Sequence, residues 1–179
     1  MKIVIAGCGG IGSNVAMHLV RSGIGNLKLI DFDKIEESNL NRQFYFKNQI
    51  GKYKSEVLKE NLLKINEKLY FESIVSKINK ENIKELFHGY EIVVEAFDNK
   101  VYKEMLIENC QGKIIISANG IGGRDLDSIV HRKIGMLNIV GDFYSDIENY
   151  KTYSTKVMMV ASIMANIVMD YLEDENEKK

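Results

Sequence analysis

The 179-residue sequence has no proline and only two cysteines, Cys8 and Cys110. The missing proline accompanies a lysine- and isoleucine-rich composition and points to no mechanism. Cysteines so far apart suggest neither a disulfide framework nor a paired-cysteine zinc site, so no structural zinc is expected and a cytoplasmic location is. Excess charge of either sign is also lacking, since 24 basic and 25 acidic residues leave a formal net charge of −1. A general nucleic-acid binder needs a basic field to neutralise phosphates, so any partner has to be recognised at a local site. No apolar run approaches the roughly 20 residues that cross a bilayer, and Met1 leads directly into a strand-like segment, not a signal peptide. The expectation is a soluble, unprocessed protein with no membrane partner. Apolar residues are evenly spread without a composition break, and the length suits one well-buried domain.

What is present is an alternation of short apolar runs and helical periods. Residues 2–6 form an apolar, β-branched run that enters glycines at once, the pattern of a buried parallel strand. Ile11, Val15, Leu19 and Val20 lie near helical spacing, and Gly23 and Gly25 stop that helix before a strand over 27–31. Residues 34–51 have no clean period and many polar side chains, which predicts a long irregular connection of the functional kind. Helices are predicted over 54–66, 80–87 and 100–110, and strands over 69–75, 91–95 and 113–118. Such alternation implies an α/β fold with a mostly parallel sheet and helices on both faces. Two further strand-like runs, 128–134 and 137–140, are joined only by Gly135 and Met136 and require an antiparallel hairpin near the C-terminal end. A last helix spans 156–172, its four methionines (Met158, Met159, Met164, Met169) reading as core packing, and leads into a charged tail. The domain is set at 1–173 and a flexible tail at 174–179.

The turn Gly7-Cys8-Gly9-Gly10-Ile11-Gly12-Ser13 lies between a strand and a helix amino terminus. Glycines there permit positive φ and close backbone approach, and free N–H groups with the helix dipole favour phosphate. The same glycines would also serve a bare strand-to-helix corner. Asp31 ends the second strand about 20 residues further on, where a carboxylate can accept hydrogen bonds from ribose hydroxyls. Both a nicotinamide or flavin dinucleotide and ATP fit these features.

After Asp31 comes Phe32-Asp33, then Ser38-Asn39-Leu40-Asn41-Arg42-Gln43, and later Gly51-Lys52-Tyr53-Lys54 at a helix start. A dinucleotide dehydrogenase has no need of this segment. Arg42 and Lys54 offer a planar fork and a point charge, the donors that suit a triphosphate, although either alone reads as a solvated surface charge. This segment together with the glycine turn resembles the adenylation signature of the E1-like superfamily, which includes ubiquitin-activating enzymes and the adenylyltransferases of molybdopterin and thiamine synthesis. The similarity is nearest to the short ThiF type and extends to Gly141-Asp142-Phe143 and the last apolar helix.

The resemblance implies a Rossmann-like fold that binds ATP with Mg²⁺. By position, Gly10 approaches the nucleotide, Asp31 holds the ribose, and Asn39, Arg42 and Lys54 contact phosphates. Gln43 shapes the same loop, and Gly7, Gly9, Gly12, Asp33, Ser38 and Asn99 complete the implied nucleotide-binding set. In Glu95-Ala96-Phe97-Asp98-Asn99, Asp98 is the implied Mg²⁺ ligand, while capping of the next helix would account for Asp98 or Asn99 equally well. The implied catalytic residues are Arg42, Lys54 and Asp98. The implied substrate is a ubiquitin-fold sulfur carrier protein ending in Gly-Gly, and the implied assembly is a homodimer. The carrier's carboxylate would attack the α-phosphate of ATP to give an acyl adenylate, a step that needs placement and charge neutralisation but no side-chain nucleophile.

The departures are also informative. Cys110 is read as a buried thiol and Cys8 as packing, and no later cysteine is present for a thioester. Longer relatives carry helices ahead of the first strand that lend an arginine to the partner's ATP site, and residues 1–6 leave no room for them. Residues 150–156 lack the glycines and prolines usual in short ThiF-like chains. His18, His88 and His131 have no metal-ligand spacing. The competing readings are adenylation of a small-molecule or tRNA-borne carboxylate, a partner subunit without catalysis, and a dinucleotide oxidoreductase.

Overall fold

The structure, a computed structural model, describes residues 1–176, with side chains through Asp174. The chain runs β1 (Ile3–Ala6), α1 (Gly10–Arg21), β2 (Leu27–Ile30), α2 (Lys54–Leu63), β3 (Phe71–Ile74), α3 (Ile83–Leu86), β4 (Ile92–Glu95), α4 (Lys100–Asn109), β5 (Ile114–Ala118), β6 (Val130–Ile134), β7 (Leu137–Gly141) and α5 (Ser154–Asn176). The seven strands form one sheet in the order β3-β2-β1-β4-β5-β7-β6. Every neighbouring pair is parallel except β6 with β7, the hairpin that closes one edge.

Side-chain alternation divides the core in two. Ile3, Ile5, Leu27, Leu29, Ile92, Val94 and Ile116 face α1, α2 and α5, whereas Val4, Ala6, Ile30, Val93 and Ile115 face α3 and α4. Strands buried on both faces are expected to be continuous apolar runs, which β1 is, while β2 is interrupted by the buried Lys28 and β4 ends in the buried Glu95. In α5, Val157, Val160, Ala161, Met164, Ala165 and Val168 are buried at helical spacing against α1 and the sheet.

Several expectations change here. The 3.6-residue pattern over 80–87 yields only the single turn of α3, because Asn79 and Asn82 side chains bond the backbone of 79–82 into a local turn that competes with helix. Of the four methionines in α5, Met164 is core and Met169 packs beside it, but Met158 and Met159 are exposed, since their positions fall on the outer face. The stretch Ser154–Asp174 is also long and apolar enough by composition to cross a bilayer, which the sequence reading did not anticipate. Its buried stripe is spent on α1 and the sheet. The helix continues to Asn176, so the first residues of the expected tail are helical, and 177–179 lie outside the described residues.

Candidate functional site

The strand order reverses at β1, with β2 on one side and β4 on the other, and open α/β sheets bind ligands outside the carboxyl ends of strands at such a switch point. A cleft of about 570 Å³ opens there. The loops after β1, β2, β4, β5 and β7 all contribute to its walls.

The first wall is the glycine turn, in which the glycines divide by what forces them. Gly7 has φ +94°, and a Cβ there would stand 2.9 Å from the Ala96 carbonyl oxygen, so the turns after β1 and β4 meet in backbone contact. At Gly12 a Cβ would overlap the Gly7 carbonyl. These two are dictated by packing. Gly9 differs, since its φ is −81° and the nearest atom to an added Cβ is Gln43 Nε2 at 3.8 Å. Gly9 and Gly10 border the cleft, whereas Gly12 does not. No neighbouring atom crowds a side chain at position 9, but a ligand pressed to that backbone would. The first turn of α1 has no side-chain cap and no acidic residue, an arrangement that favours an anion at its N–H groups.

The polar loop after β2 is strapped to this turn. Asn14 Nδ2 donates to the Gly10 carbonyl (2.6 Å) and the Arg42 carbonyl (2.8 Å), and the Phe44 N–H donates to Ser13 Oγ at 3.0 Å. The buried Tyr45 hydroxyl donates to the Cys8 carbonyl at 2.7 Å. The segment 38–45 therefore lies on the glycine turn despite its distance in sequence. Arg42 borders the cleft, and its side-chain bonds among the described residues, to the Ser38 carbonyl (3.0 Å) and Asn41 Oδ1 (2.8 Å), use Nη1 alone. Gln43 also borders the cleft, and its buried Oε1 has no hydrogen-bond partner among the described residues. Such an atom invites a ligand or water.

Asp31 is nearly buried and both of its oxygens already work, one accepting from the Cys8 N–H (2.6 Å) and the other from the Asp33 N–H (2.7 Å). Burial raises its pKa, against the lowering effect of those two bonds and of the Lys54 charge. Lys54, buried at the start of α2, pairs with the exposed Asp33 carboxylate at 3.0 Å. Burial pushes the Cys8 thiol well above its ordinary value, with the Asp31 charge adding to this, and burial likewise pushes Cys110 up to about 11. Neither thiol is poised as a nucleophile.

Asp98 stands exposed on the turn between β4 and α4 and faces the cleft, while Asn99 caps α4 by accepting from the Val101 N–H at 2.9 Å. Beneath this turn lies a group that the sequence reading passed over. Glu95, the last residue of β4, is wholly buried and bonded to Phe97, Lys103 and Ser117. A carboxylate ending an otherwise apolar strand was the available signal. Asn14 and Tyr45 were also missed, because their partners lie 28 and 37 residues away in sequence.

The far wall comprises the turns after β5 and β7, with Tyr144 and Tyr150 meeting edge to face at 6.2 Å. It is anchored by Lys156, fully buried at the start of α5, which pairs with Asp142 and donates to the Gly122 carbonyl at 2.7 Å. Burial acts to raise the Asp142 carboxyl, but bonds from Lys156, Ser145 and Tyr144 outweigh it and hold the group at about 2.

The cleft thus brings together Gly7, Gly9, Gly10, Asp31, Asp33, Arg42, Gln43, Lys54 and Asp98. Gly12, Ser38, Asn39 and Asn99 stand outside its lining. Asn39 is buried, and its Oδ1 accepts from the Glu36 N–H at 3.0 Å, so its amide holds the loop's shape. Among the described residues no group of three or more His, Cys, Asp or Glu stands together as a metal site.

The chain is similar to several known proteins. It is 42% identical over 126 residues to tRNA threonylcarbamoyladenosine dehydratase of Haemophilus influenzae, covering 68% of this chain and 48% of that one. It is 34% identical over 99 residues to the sulfur carrier protein adenylyltransferase of Thermus thermophilus, covering 55% of this chain and 36% of that one. The chain thus spans less than half the length of these curated relatives. The structure of E. coli tRNA N6-threonylcarbamoyladenosine dehydratase in complex with AMP superposes with a TM-score of 0.90 at 20% identity, covering 99% of this chain and 88% of that one. The model of the ThiF family matches residues 1–179, and the chain belongs to the ThiF family.

Proposed function

We propose that this chain is an ATP-dependent adenylyltransferase acting on the C-terminal Gly-Gly carboxylate of a ubiquitin-fold sulfur carrier, serving thiamine thiazole synthesis in the cytoplasm as a homodimer. One observation carries the reading: Gly9, Gly10, Asp31, Arg42, Lys54 and Asp98, drawn from four separate segments, converge on a single cleft. Gly9 is not crowded by neighbouring atoms, the α1 amino terminus has no side-chain cap, and the buried Oε1 of Gln43 lacks a partner among the described residues, three features that fit a bound nucleotide. Asp98, which borders the cleft, would be the protein carboxylate to hold Mg²⁺ there, phosphates and water supplying the rest as at other ATP sites. Bound there, Mg²⁺ would neutralise phosphate charge as pyrophosphate leaves.

The protein's own part is placement. Lys54 exchanges Asp33 for a phosphate oxygen, and the Arg42 fork, oriented through Nη1, offers its remaining N–H groups to the same charge. A carboxylate oxygen of the acceptor attacks the α-phosphorus, the bond to the bridging oxygen breaks, and pyrophosphate carries off the electron pair. The attacking group is already ionised, so the side chains need only align it and offset charge. The Thermus relative is named for this activity on a sulfur carrier. A second reading, adenylation of a tRNA-borne carboxylate, is favoured by the 42% identity to the tRNA-acting relative. Exchange of labelled pyrophosphate into ATP separates the two. A Gly-Gly-ended carrier should support exchange, and Arg42→Ala or Asp98→Ala should lower it by about 10²-fold or more. Exchange that responds only to threonylcarbamoyladenosine-bearing tRNA would select the second reading, and no exchange with either acceptor would remove both.

A further inference from the structure

Glu95 is a carboxylate with 0% exposure at the end of the central strand β4. Its Oε1 accepts from the Phe97 N–H at 2.7 Å and from Lys103 Nζ at 3.1 Å, and its Oε2 accepts from Lys103 Nζ at 2.8 Å and Ser117 Oγ at 2.5 Å. An isolated buried carboxylate is costly, and an apolar side chain would fill this position at no such cost. The bonds reach three separate elements: the turn after β4, the face of α4 and the end of β5. The bond to Phe97 fixes the turn on which the next residue, Asp98, stands. The Ala96 N–H donates to the Ala6 carbonyl at 2.9 Å, and the Ala96 carbonyl fills the space left by the missing Cβ of Gly7. The turn bearing Asp98 is thereby locked to the glycine turn.

We infer that Glu95, held by Lys103 and Ser117, is a positioning residue that sets the Asp98 carboxylate against the glycine turn, so that a cation on the nucleotide meets it in register. The inference rests on the ATP reading above. Glu95 does not touch the ligand; it fixes the backbone one residue before the group that does. Groups placed behind a metal ligand in this way typically cost about 10- to 100-fold in metal affinity when removed.

The test measures ATP binding by titration calorimetry across a MgCl₂ series and in EDTA, on Glu95→Ala, Glu95→Gln and Asp98→Asn, with folding checked by circular dichroism. Glu95→Ala should raise the half-maximal Mg²⁺ concentration by about 10- to 100-fold, in the direction of Asp98→Asn. Its ATP binding in EDTA should stay within about twofold of wild type, a split that general loosening of the fold would not give. Glu95→Gln keeps an acceptor for Phe97 and should restore most of the Mg²⁺ response. Hydrogen exchange supplies a readout without nucleotide: the Phe97 amide should lose protection in Glu95→Ala and keep it in Glu95→Gln. Should Glu95→Ala fail to fold, Ser117→Ala, which removes the hydroxyl holding Glu95 Oε2 from a residue outside the cleft lining, should shift the half-maximal Mg²⁺ concentration and the Phe97 protection in the same direction. A folded Glu95→Ala with wild-type Mg²⁺ dependence and a protected Phe97 amide overturns the inference. Wild-type protein that binds no ATP at any Mg²⁺ concentration overturns the proposed function instead, and the Phe97 amide still decides whether Glu95 sets the turn.

Discussion

At the residue scale, glycines that look alike in sequence have different physical causes. Gly12 is excluded from carrying a side chain by the Gly7 carbonyl, with Ile5 Cγ2 a further 3.1 Å from an added Cβ, so Gly12→Ala overpacks a strand-to-helix corner. It should cost about 1–3 kcal/mol or more in urea denaturation. Gly9→Ala meets nothing closer than 3.8 Å and should change stability by less than about 1 kcal/mol while weakening ATP binding by about tenfold or more. Equal loss of stability in the two variants would show that position 9 serves the corner and not a ligand. Asp31 carries a second prediction. Because burial raises its carboxyl above the ordinary 3.8, the acid limb of nucleotide binding should lie above that value, with affinity falling as the group protonates. An affinity–pH profile of wild type against Asp31→Asn should show this limb only in wild type.

At the element scale, α5 is the piece whose role its own composition disguises. It is apolar and long enough to suggest a membrane span, yet Val160, Ala161, Met164 and Val168 are buried against α1 and the sheet. Met164→Ala should therefore cost about 2–5 kcal/mol, read as a lowered urea midpoint, whereas Met159→Ala on the exposed face should stay within about 0.5 kcal/mol. The strands β1, β2, β4 and β5 were legible because both of their faces are buried, which makes them mostly apolar, whereas the exposed β6 was legible from its short connection to β7. The conformation of residues 34–51 was legible only as irregular, since its order comes from bonds that Asn14, Ser13 and Tyr45 make to residues distant in sequence.

At the scale of the whole molecule, the far wall of the cleft hangs on the Lys156–Asp142 pair, which joins the turns after β5 and β7 to the head of α5. Asp142 has a folded pKa of about 2 against an ordinary 3.8, so the stability it supplies is fully present above about pH 4 and is lost as pH falls toward 2. Urea midpoints of wild type and Asp142→Asn measured from pH 2 to pH 6 should differ most at the upper end and converge below about pH 4. A constant gap across that range would mean that the pair's worth does not depend on the ionised carboxylate. The same anchoring predicts that loss of the pair loosens one wall of the cleft and leaves the glycine turn in place.

The sequence alone determined the alternation of strands and helices, the hairpin and the location of a nucleotide-type turn, because each rests on local periodicity or on glycine at a tight corner. Asp31 stood out as a carboxylate at a strand end about 20 residues beyond the glycines, while Arg42, Lys54 and Asp98 were named through the resemblance that the glycine turn and residues 38–43 carry. Tertiary structure decided which of them share a space. Asn39 and Asn99, equally polar in sequence, turn their amides onto backbone as a loop brace and a helix cap, while Gln43 keeps a buried oxygen beside the cleft without a partner among the described residues. The anchoring partners of Glu95 and Lys156 were not legible because burial and long-range bonding, which give a charged side chain its role inside a core, are properties of the folded chain and not of any stretch of it.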